Sequence, residues 1–302
     1  MSIDILKQNL ENINDLQVKY KENLCNYTTF RVGGPADIFL IPETKKALKE
    51  LLFPISETNL ATYVLGQGSN VIVADKGFRG IIIYTGKLQR IRINNKIIKA
   101  EAGIKLSKLA QEALKNNLSG LEFASGIPGT LGGALYMNAG AYENEIKDLI
   151  QDSLLYDYHG NEILLPLKKL NLSYRKSILQ EKKLIAIEIT IKLRNSKKSE
   201  IKKKMDILKE ERLSKQPLNW PSAGSTFKRP EGHYAGKLIE KAGLKGTQIG
   251  DAQVSKKHAG FIVNRGGASA NDIINLIKYI QKEVYKQSGV NLEVEPQIIG
   301  EF

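Results

Sequence analysis

Cysteine and histidine are scarce in this chain of 302 residues: Cys25 stands alone, and His159, His233 and His258 are scattered. A single cysteine forms no intrachain disulfide, so a reducing cytoplasm is the expected home. Beside apolar sequence, Cys25 reads as inert packing. No Cys/His pair has metal-ligand spacing, which argues against a protein-held metal such as zinc. Long apolar runs are missing as well. Those present, such as residues 80–84, are far too short to span a bilayer. Residues 1–24 alternate apolar positions with Asp, Glu, Lys and Asn and lack the apolar core of a signal peptide. They read instead as an amphipathic helix, with Ile3, Leu6, Leu10 and Ile13 at helical spacing. There is no internal repeat and no low-complexity tract.

Hydrophobic residues make up 42% and charged residues 25%, an ordinary globular balance in a chain long enough for two or three compact units. The formal net charge is +13, and a positive field of that size draws in polyanions. Nucleic-acid binding would bring a reader motif, or aromatic rings interleaved with basic residues. The basic stretch 197–215 has interspersed acids and no aromatic ring, so it reads as a solvated helix. Small anionic ligands are expected, and nucleic acid is not.

Two glycine-rich segments carry the most information: Gly66-Gln67-Gly68-Ser69-Asn70 and Ser125-Gly126-Ile127-Pro128-Gly129-Thr130-Leu131-Gly132-Gly133-Ala134. Glycine is costly in ordered structure. Where it is kept, bare backbone lets successive N–H groups close on a phosphate. Two such segments point to a dinucleotide held along its pyrophosphate. The Rossmann fingerprint fails, because Val71 stands where the third glycine belongs and residues 71–74 read as a strand rather than a helix. In the second segment Thr130 is a cap for a short helix over 130–137, whose N-terminus is expected to present unpaired N–H groups to a phosphate. Asn138-Ala139-Gly140-Ala141 would continue a flat surface for a planar ring. The competing reading is close helix–strand packing at Gly132-Gly133.

Around these segments the pattern alternates. Residues 37–41, 62–65, 97–102, 154–157 and 184–193 read as strands. Helices are expected after Thr44 and over 106–116, which together give an α+β or α/β arrangement. Residues 196–215 form a charged amphipathic helix leading into a last unit. There Ser269 to Asp272 cap a helix striped by Ile273, Ile274, Ile277, Ile280 and Val284 and stopped by Gly289, with a strand expected over 291–295.

Candidate chemistry lies in three further places. Pro221-Ser222-Ala223-Gly224-Ser225-Thr226-Phe227-Lys228-Arg229-Pro230 sets a serine after a glycine and before a basic pair. The Ser225 hydroxyl is able to donate a proton, and Lys228 or Arg229 to hold a diphosphate; a polar turn is the plainer reading. Arg175, after Tyr174, suits a bidentate pair with a carboxylate. Glu295 shares a strand face with Glu293, opposite Leu292 and Val294. Taken singly, Arg175 and Glu295 read as surface charges.

Taken in order, these segments resemble the UDP-N-acetylenolpyruvoylglucosamine reductase (MurB) family. The match runs through Phe30-Arg31-Val32-Gly33-Gly34-Pro35-Ala36-Asp37, the 66–70 loop, Ser119-Gly120-Leu121-Glu122-Phe123-Ala124-Ser125-Gly126-Ile127-Pro128-Gly129, Gly132-Gly133-Ala134 to Asn138-Ala139-Gly140-Ala141, Tyr174-Arg175, Gly224-Ser225-Thr226-Phe227-Lys228, His258-Ala259-Gly260-Phe261-Ile262-Val263-Asn264 and the C-terminal stretch 292–300. The resemblance implies an α+β fold: an FAD-binding region of two α+β subdomains, like that of the vanillyl-alcohol-oxidase group, followed by an α+β substrate-binding domain. The expected division is an N-terminal helix (1–25), FAD-binding subdomains (26–90 and 91–202) and a substrate-binding domain (203–302). It implies that NADPH reduces non-covalent FAD, which passes hydride to the enolpyruvyl double bond of UDP-N-acetylglucosamine enolpyruvate to form UDP-N-acetylmuramate, a peptidoglycan precursor.

Carried over by residue, Ser225 resembles the proton donor, Arg175 the group that stabilises the developing enolate, and Glu295 the third catalytic position, a hydrogen-bond donor when neutral. The cofactor-binding positions are Gly66, Gln67, Gly68, Ser69, Asn70, Ser125, Gly126, Gly129, Thr130, Gly132 and Gly133. Tyr174, Lys215, Lys228 and Arg229 are the substrate-binding ones. No membrane partner is implied, and a monomer is expected. Two departures stand out. Pro296 replaces the valine usual after Glu295, and no insertion between Tyr174 and Ser225 is long enough to supply the lid tyrosine of one subgroup. A flavin-dependent oxidase with another substrate and a non-catalytic nucleotide-sugar-binding protein are the competing readings.

Overall fold

The computed structural model describes residues 3–302, with side chains from Ile5 onward. By backbone packing it divides into two units. Unit one holds the chain through Tyr20, Ile38–Gln67 and Gly80–Glu210; unit two holds Lys21–Asp37, Gly68–Arg79 and Glu211–Phe302. These packing units interleave along the chain and do not decide the expected functional division into 26–90, 91–202 and 203–302.

Unit one carries helices α1 (Ile3–Glu11), α2 (Lys45–Ser56), α3 (Leu106–Lys115), α4 (Leu131–Met137) and α5 (Ile178–Glu181), and most of α6 (Lys198–Lys215). A four-stranded sheet runs in the order Leu16–Asn23, Pro35–Pro42, Phe78–Tyr84, Thr62–Leu65, and its last pair is parallel. Thr44 starts α2 as read from the sequence, its hydroxyl accepting from Ala47 N at 3.1 Å. Leu48, Leu51, Leu52 and Ile55 then form a buried stripe that packs with Ile38, Leu40, Ile81 and Ile83, alternate residues of the sheet. A second, antiparallel sheet runs Glu162–Pro166, Ile150–Asp157, Leu184–Lys192, Ile97–Glu101, Ile91–Asn94. Its core joins Ile98, Ala100, Ile189 and Ile191 to α3, α4 and the α6 residues Ile201 and Met205.

Unit two carries α7 (Ala235–Lys241), α8 (Ala270–Ser288), a three-stranded sheet (Gln248–Ile249, Ala252–Val254, Ile262–Asn264) and the parallel pair Val71–Val73 with Gln297–Ile299. The stripe expected on α8 is largely buried, Ile274 lying at its edge, and Gly289 ends the helix at φ 69°. Ser269 and Asp272 form a capping box, and the Asp75 carboxylate accepts from Ala270 N at 2.7 Å and Asn271 N at 3.0 Å, so the helix start is fully satisfied.

Two expectations are corrected. The helix expected over 1–24 stops at Glu11, and Leu16–Asn23 is a strand (Met1, Ser2 and the Ile3 side chain lie outside the described residues). From Leu16 the apolar residues Leu16, Val18 and Tyr20 recur at period two, and Asp15 at φ 59° breaks the helical path. The closing strand expected over 291–295 is only an isolated bridge between Phe227 and Val294; the strand proper is Gln297–Ile299. Pro296 between them has no N–H to continue a ladder.

Candidate active site

In unit one the first glycine segment meets the second. A Cβ on Gly66 would lie 2.5 Å from Thr130 Oγ1, so only glycine fits against the cap of α4. The amides of Gly66, Gln67, Gly126, Gly129 and Thr130 donate to no acceptor among the described residues, although Thr130 is buried. A buried donor left this way, as at Thr130, calls for an outside acceptor, whereas Gly126 is exposed and open to water. The segment is shaped by Glu122, a buried carboxylate that accepts from Ser119 Oγ at 2.6 Å and Gly120 N at 2.9 Å. Its carbonyl takes both the Ser125 hydroxyl (2.7 Å) and the Ser125 N–H (3.3 Å).

The N-terminus of α4 does not present free N–H groups, contrary to expectation. Leu131 N donates to Ile104 O, Gly132 N to Ala102 O, Gly133 N to Thr130 Oγ1 and Ala134 N to Thr130 O. A Cβ on Gly132 would sit 2.8 Å from Ala102 Cβ. Close helix–strand packing therefore explains Gly132, and the bare donors lie just before the helix rather than in its first turn.

Arg175 occupies a tight turn in unit one. Ser173 and Lys176 exchange backbone hydrogen bonds at 3.2 and 3.1 Å, with Tyr174 and Arg175 between them. Arg175 has φ 57°, a conformation that costs a non-glycine residue about 1–2 kcal/mol. Its guanidinium lies 5.0 Å from the exposed Tyr174 ring. Glu145 is held below its ordinary value: burial pushes it up, but hydrogen bonds from Lys147 and Asn138 and the charges of Lys147 and Arg175 outweigh that. The turn is gripped from both sides, because Asn138 Nδ2 donates to Ser173 O at 3.1 Å and Gln180 Nε2 to Arg175 O at 3.0 Å. Gln180 was not singled out from sequence, and Asn138 only as the head of the small-residue run expected to face a planar ring. Asn138 carried half a signal, since asparagine at a helix end suits the left-handed cap it adopts, at φ 42°.

In unit two, Gly68, Ser69 and Asn70 likewise leave their N–H groups without an acceptor among the described residues. Gly68 needs its φ of 60°, and a Cβ there would strike Tyr27 O at 2.1 Å. Asn70 Nδ2 donates to Glu295 O at 3.3 Å, and Glu295 N to Thr226 O at 3.0 Å. The sequence-distant Asn70, Ser225-Thr226 and Glu295 segments thus converge. Ser225 is half-buried between Gly224, which has φ 76° and open space on the side a Cβ would occupy, and Thr226, whose Oγ1 accepts from Ile262 N at 3.1 Å. Lys228 pairs with Glu293 across the Phe227–Val294 bridge, and the Arg229 guanidinium lies 4.5 Å from the Tyr234 ring. Lys215, exposed on α6, pairs with Glu211. Among the described residues no three His, Cys, Asp or Glu side chains gather as a metal site, and no helix is long and apolar enough to cross a membrane.

Backbone donors bared in glycine segments of an α+β fold are compatible with a nucleotide cofactor, and the class itself comes from residues 36–158, which match the FAD binding domain family and make the chain a flavoprotein. Residues 216–299 match the family described as UDP-N-acetylenolpyruvoylglucosamine reductase, C-terminal domain. A UDP-N-acetylenolpyruvoylglucosamine reductase of Clostridium botulinum (strain Okra / Type B1) is 48% identical over 93% of this chain and 92% of its own length. One from Caldanaerobacter subterraneus subsp. tengcongensis is 46% identical over 99% of this chain and 98% of its own length. The crystal structure of the reductase (MurB) from Thermus caldophilus superimposes with a TM-score of 0.82 at 36% identity, covering 94% of this chain and all of that one. The chain belongs to the UDP-N-acetylenolpyruvoylglucosamine reductase family.

Proposed function

We infer that the protein is an NADPH-dependent flavoenzyme that reduces the enolpyruvyl group of UDP-N-acetylglucosamine enolpyruvate to UDP-N-acetylmuramate. One observation carries this reading: 48% identity with a reductase of that name over 93% of the chain. Because the match reaches through the C-terminal domain at 216–299, it favours this activity over an oxidase of the same fold or a non-catalytic nucleotide-sugar binder. Residues 26–90 and 91–202 would serve the cofactor and 203–302 the substrate, in a cytoplasmic monomer.

In unit one the bared N–H groups of Gly66, Gln67, Gly126, Gly129 and Thr130, and in unit two those of Gly68, Ser69 and Asn70, are each suited to phosphate oxygens, and these residues would hold FAD. Bound FAD supplies the hydride taken from NADPH. As hydride arrives at the β-carbon of the substrate alkene, negative charge develops at the α-carbon and on the carboxylate. Arg175 stabilises that charge more in the transition state than in the ground state, which is what accelerates the step. Ser225 delivers the proton to the α-carbon. Glu295, when neutral, would assist by donating to the same carboxylate; an anion there would oppose the developing charge. Tyr174, Lys215, Lys228 and Arg229 are proposed to bind the rest of the nucleotide, the cations facing its diphosphate.

Single-turnover spectroscopy tests the assignment. Ser225→Ala is expected to retain FAD and be bleached normally by NADPH, while anaerobic reoxidation by the enolpyruvyl nucleotide slows by about 10²–10⁴-fold. Unimpaired reoxidation would remove Ser225 from the donor role.

A further inference from the structure

Asn138 is wholly buried and its amide is fully engaged. Nδ2 donates to Ser173 O and to Glu145 Oε2, each at 3.1 Å, while Oδ1 accepts from Lys147 N at 3.2 Å. Gln180 works from the other side of the same turn, its Nε2 reaching Arg175 O at 3.0 Å and Tyr136 O, on α4, at 2.8 Å. The last turn of α4 and the Tyr174-Arg175 turn are thereby tied together by side-chain amides.

We propose that Asn138 and Gln180 are positioning residues for Arg175: they hold the strained turn from which the guanidinium addresses the substrate carboxylate. The proposal rests on the reading of Arg175 as the group that stabilises that carboxylate. An arginine in a left-handed conformation at φ 57° keeps it only where surrounding contacts over-determine the backbone. Here the carbonyls of Ser173 and of Arg175 itself are each held by a side-chain amide. The same Asn138 amide fixes the Glu145 carboxylate, paired with Lys147 at 2.5 Å, whose charge acts on Arg175. A purely structural role for the Asn138 amide would lower stability and leave the ratio of the two half-reaction rates unchanged, whereas glycine serves the left-handed helix end equally well and lacks only the side-chain bonds.

That difference supplies the test. Asn138→Gly keeps the backbone conformation and deletes the amide. The melting temperature is expected to fall, because Ser173 O, Glu145 Oε2 and Lys147 N each lose a partner, while FAD content and the rate of NADPH reduction in the folded variant stay close to wild type. Reoxidation by the enolpyruvyl nucleotide should slow by roughly 10- to 100-fold with its KM little changed. In an Arg175→Ala background the same substitution should add nothing, because both changes act through one group. Gln180→Ala, at an exposed position that poses little risk to folding, should show a smaller loss with the same non-additivity. Normal reoxidation in folded Asn138→Gly and Gln180→Ala, or an equal loss with Arg175 already removed, would overturn the proposal. Should Arg175→Ala alone reoxidise normally, the assigned role of Arg175 fails first and the positioning role with it.

Discussion

Gly66 and Thr130 stand so close that a Cβ on the glycine would come within 2.5 Å of the threonine hydroxyl. That hydroxyl caps α4 by accepting from Gly133 N, so Gly66 cannot grow without disturbing the cap and the bare amides beside it. Gly66→Ala should therefore destabilise by about 1–3 kcal/mol and lower the flavin-to-protein absorbance ratio. Thr130→Ala removes the obstructing oxygen at the cost of the cap, about 0.5–2 kcal/mol. The double variant should bind more FAD than Gly66→Ala alone. Flavin content unchanged in Gly66→Ala would mean that this contact does not shape the cofactor loop.

Glu188 gives a pH signature unrelated to catalysis. Burial pushes its carboxyl up, but hydrogen bonds and charges from Lys45 at 3.2 Å and Arg92 at 2.8 Å outweigh burial and hold it below its ordinary value. A depressed carboxyl stabilises the fold above its unfolded pKa, and that stabilisation is lost as pH falls through the folded one. Glu188→Gln should thus lose about 1–2 kcal/mol near neutral pH, a figure tempered by the exposure of Arg92. The gap to wild type should narrow below about pH 4.5, the ordinary value of the group. Urea unfolding at several pH values checks this; a gap that widens towards acid would show the sign to be wrong.

Local signals carried much of the fold. Caps at Thr44, Thr130 and Ser269, the α8 stripe and the runs that became Thr62–Leu65 and Leu184–Lys192 rest on neighbours in sequence, and they were legible there. Failures came where the deciding partner is distant. The amides of Leu131 and Gly132 find Ile104 O and Ala102 O, which no spacing rule foresees, so α4 was credited with donors it does not have. The Leu16–Asn23 strand was hidden by the helical spacing just before it. Arg175 and Ser225 were visible through resemblance, whereas the left-handed backbone of Arg175 and its grip by Asn138 and Gln180 emerge only from packing.

Thr226 links the proposed proton donor to the rest of its unit. It is buried, its Oγ1 accepts from Ile262 N at 3.1 Å, its N–H donates to Gly260 O at 2.8 Å, and its carbonyl takes Glu295 N at 3.0 Å. Valine matches its shape but not its oxygen. Thr226→Val therefore strands the buried Ile262 N–H, at a cost of about 1–3 kcal/mol. Ser225 and Glu295 lean on this residue through the backbone, so loosening it should slow substrate-driven reoxidation while NADPH reduction stays normal. Thr226→Ser keeps the acceptor and should preserve the normal ratio of the two half-reaction rates, whatever its loss of a methyl group costs in stability. Denaturant unfolding beside stopped-flow absorbance measures both quantities. A valine variant as stable as wild type would show that the Ile262 amide finds another acceptor, and that Thr226 does not hold the serine in place.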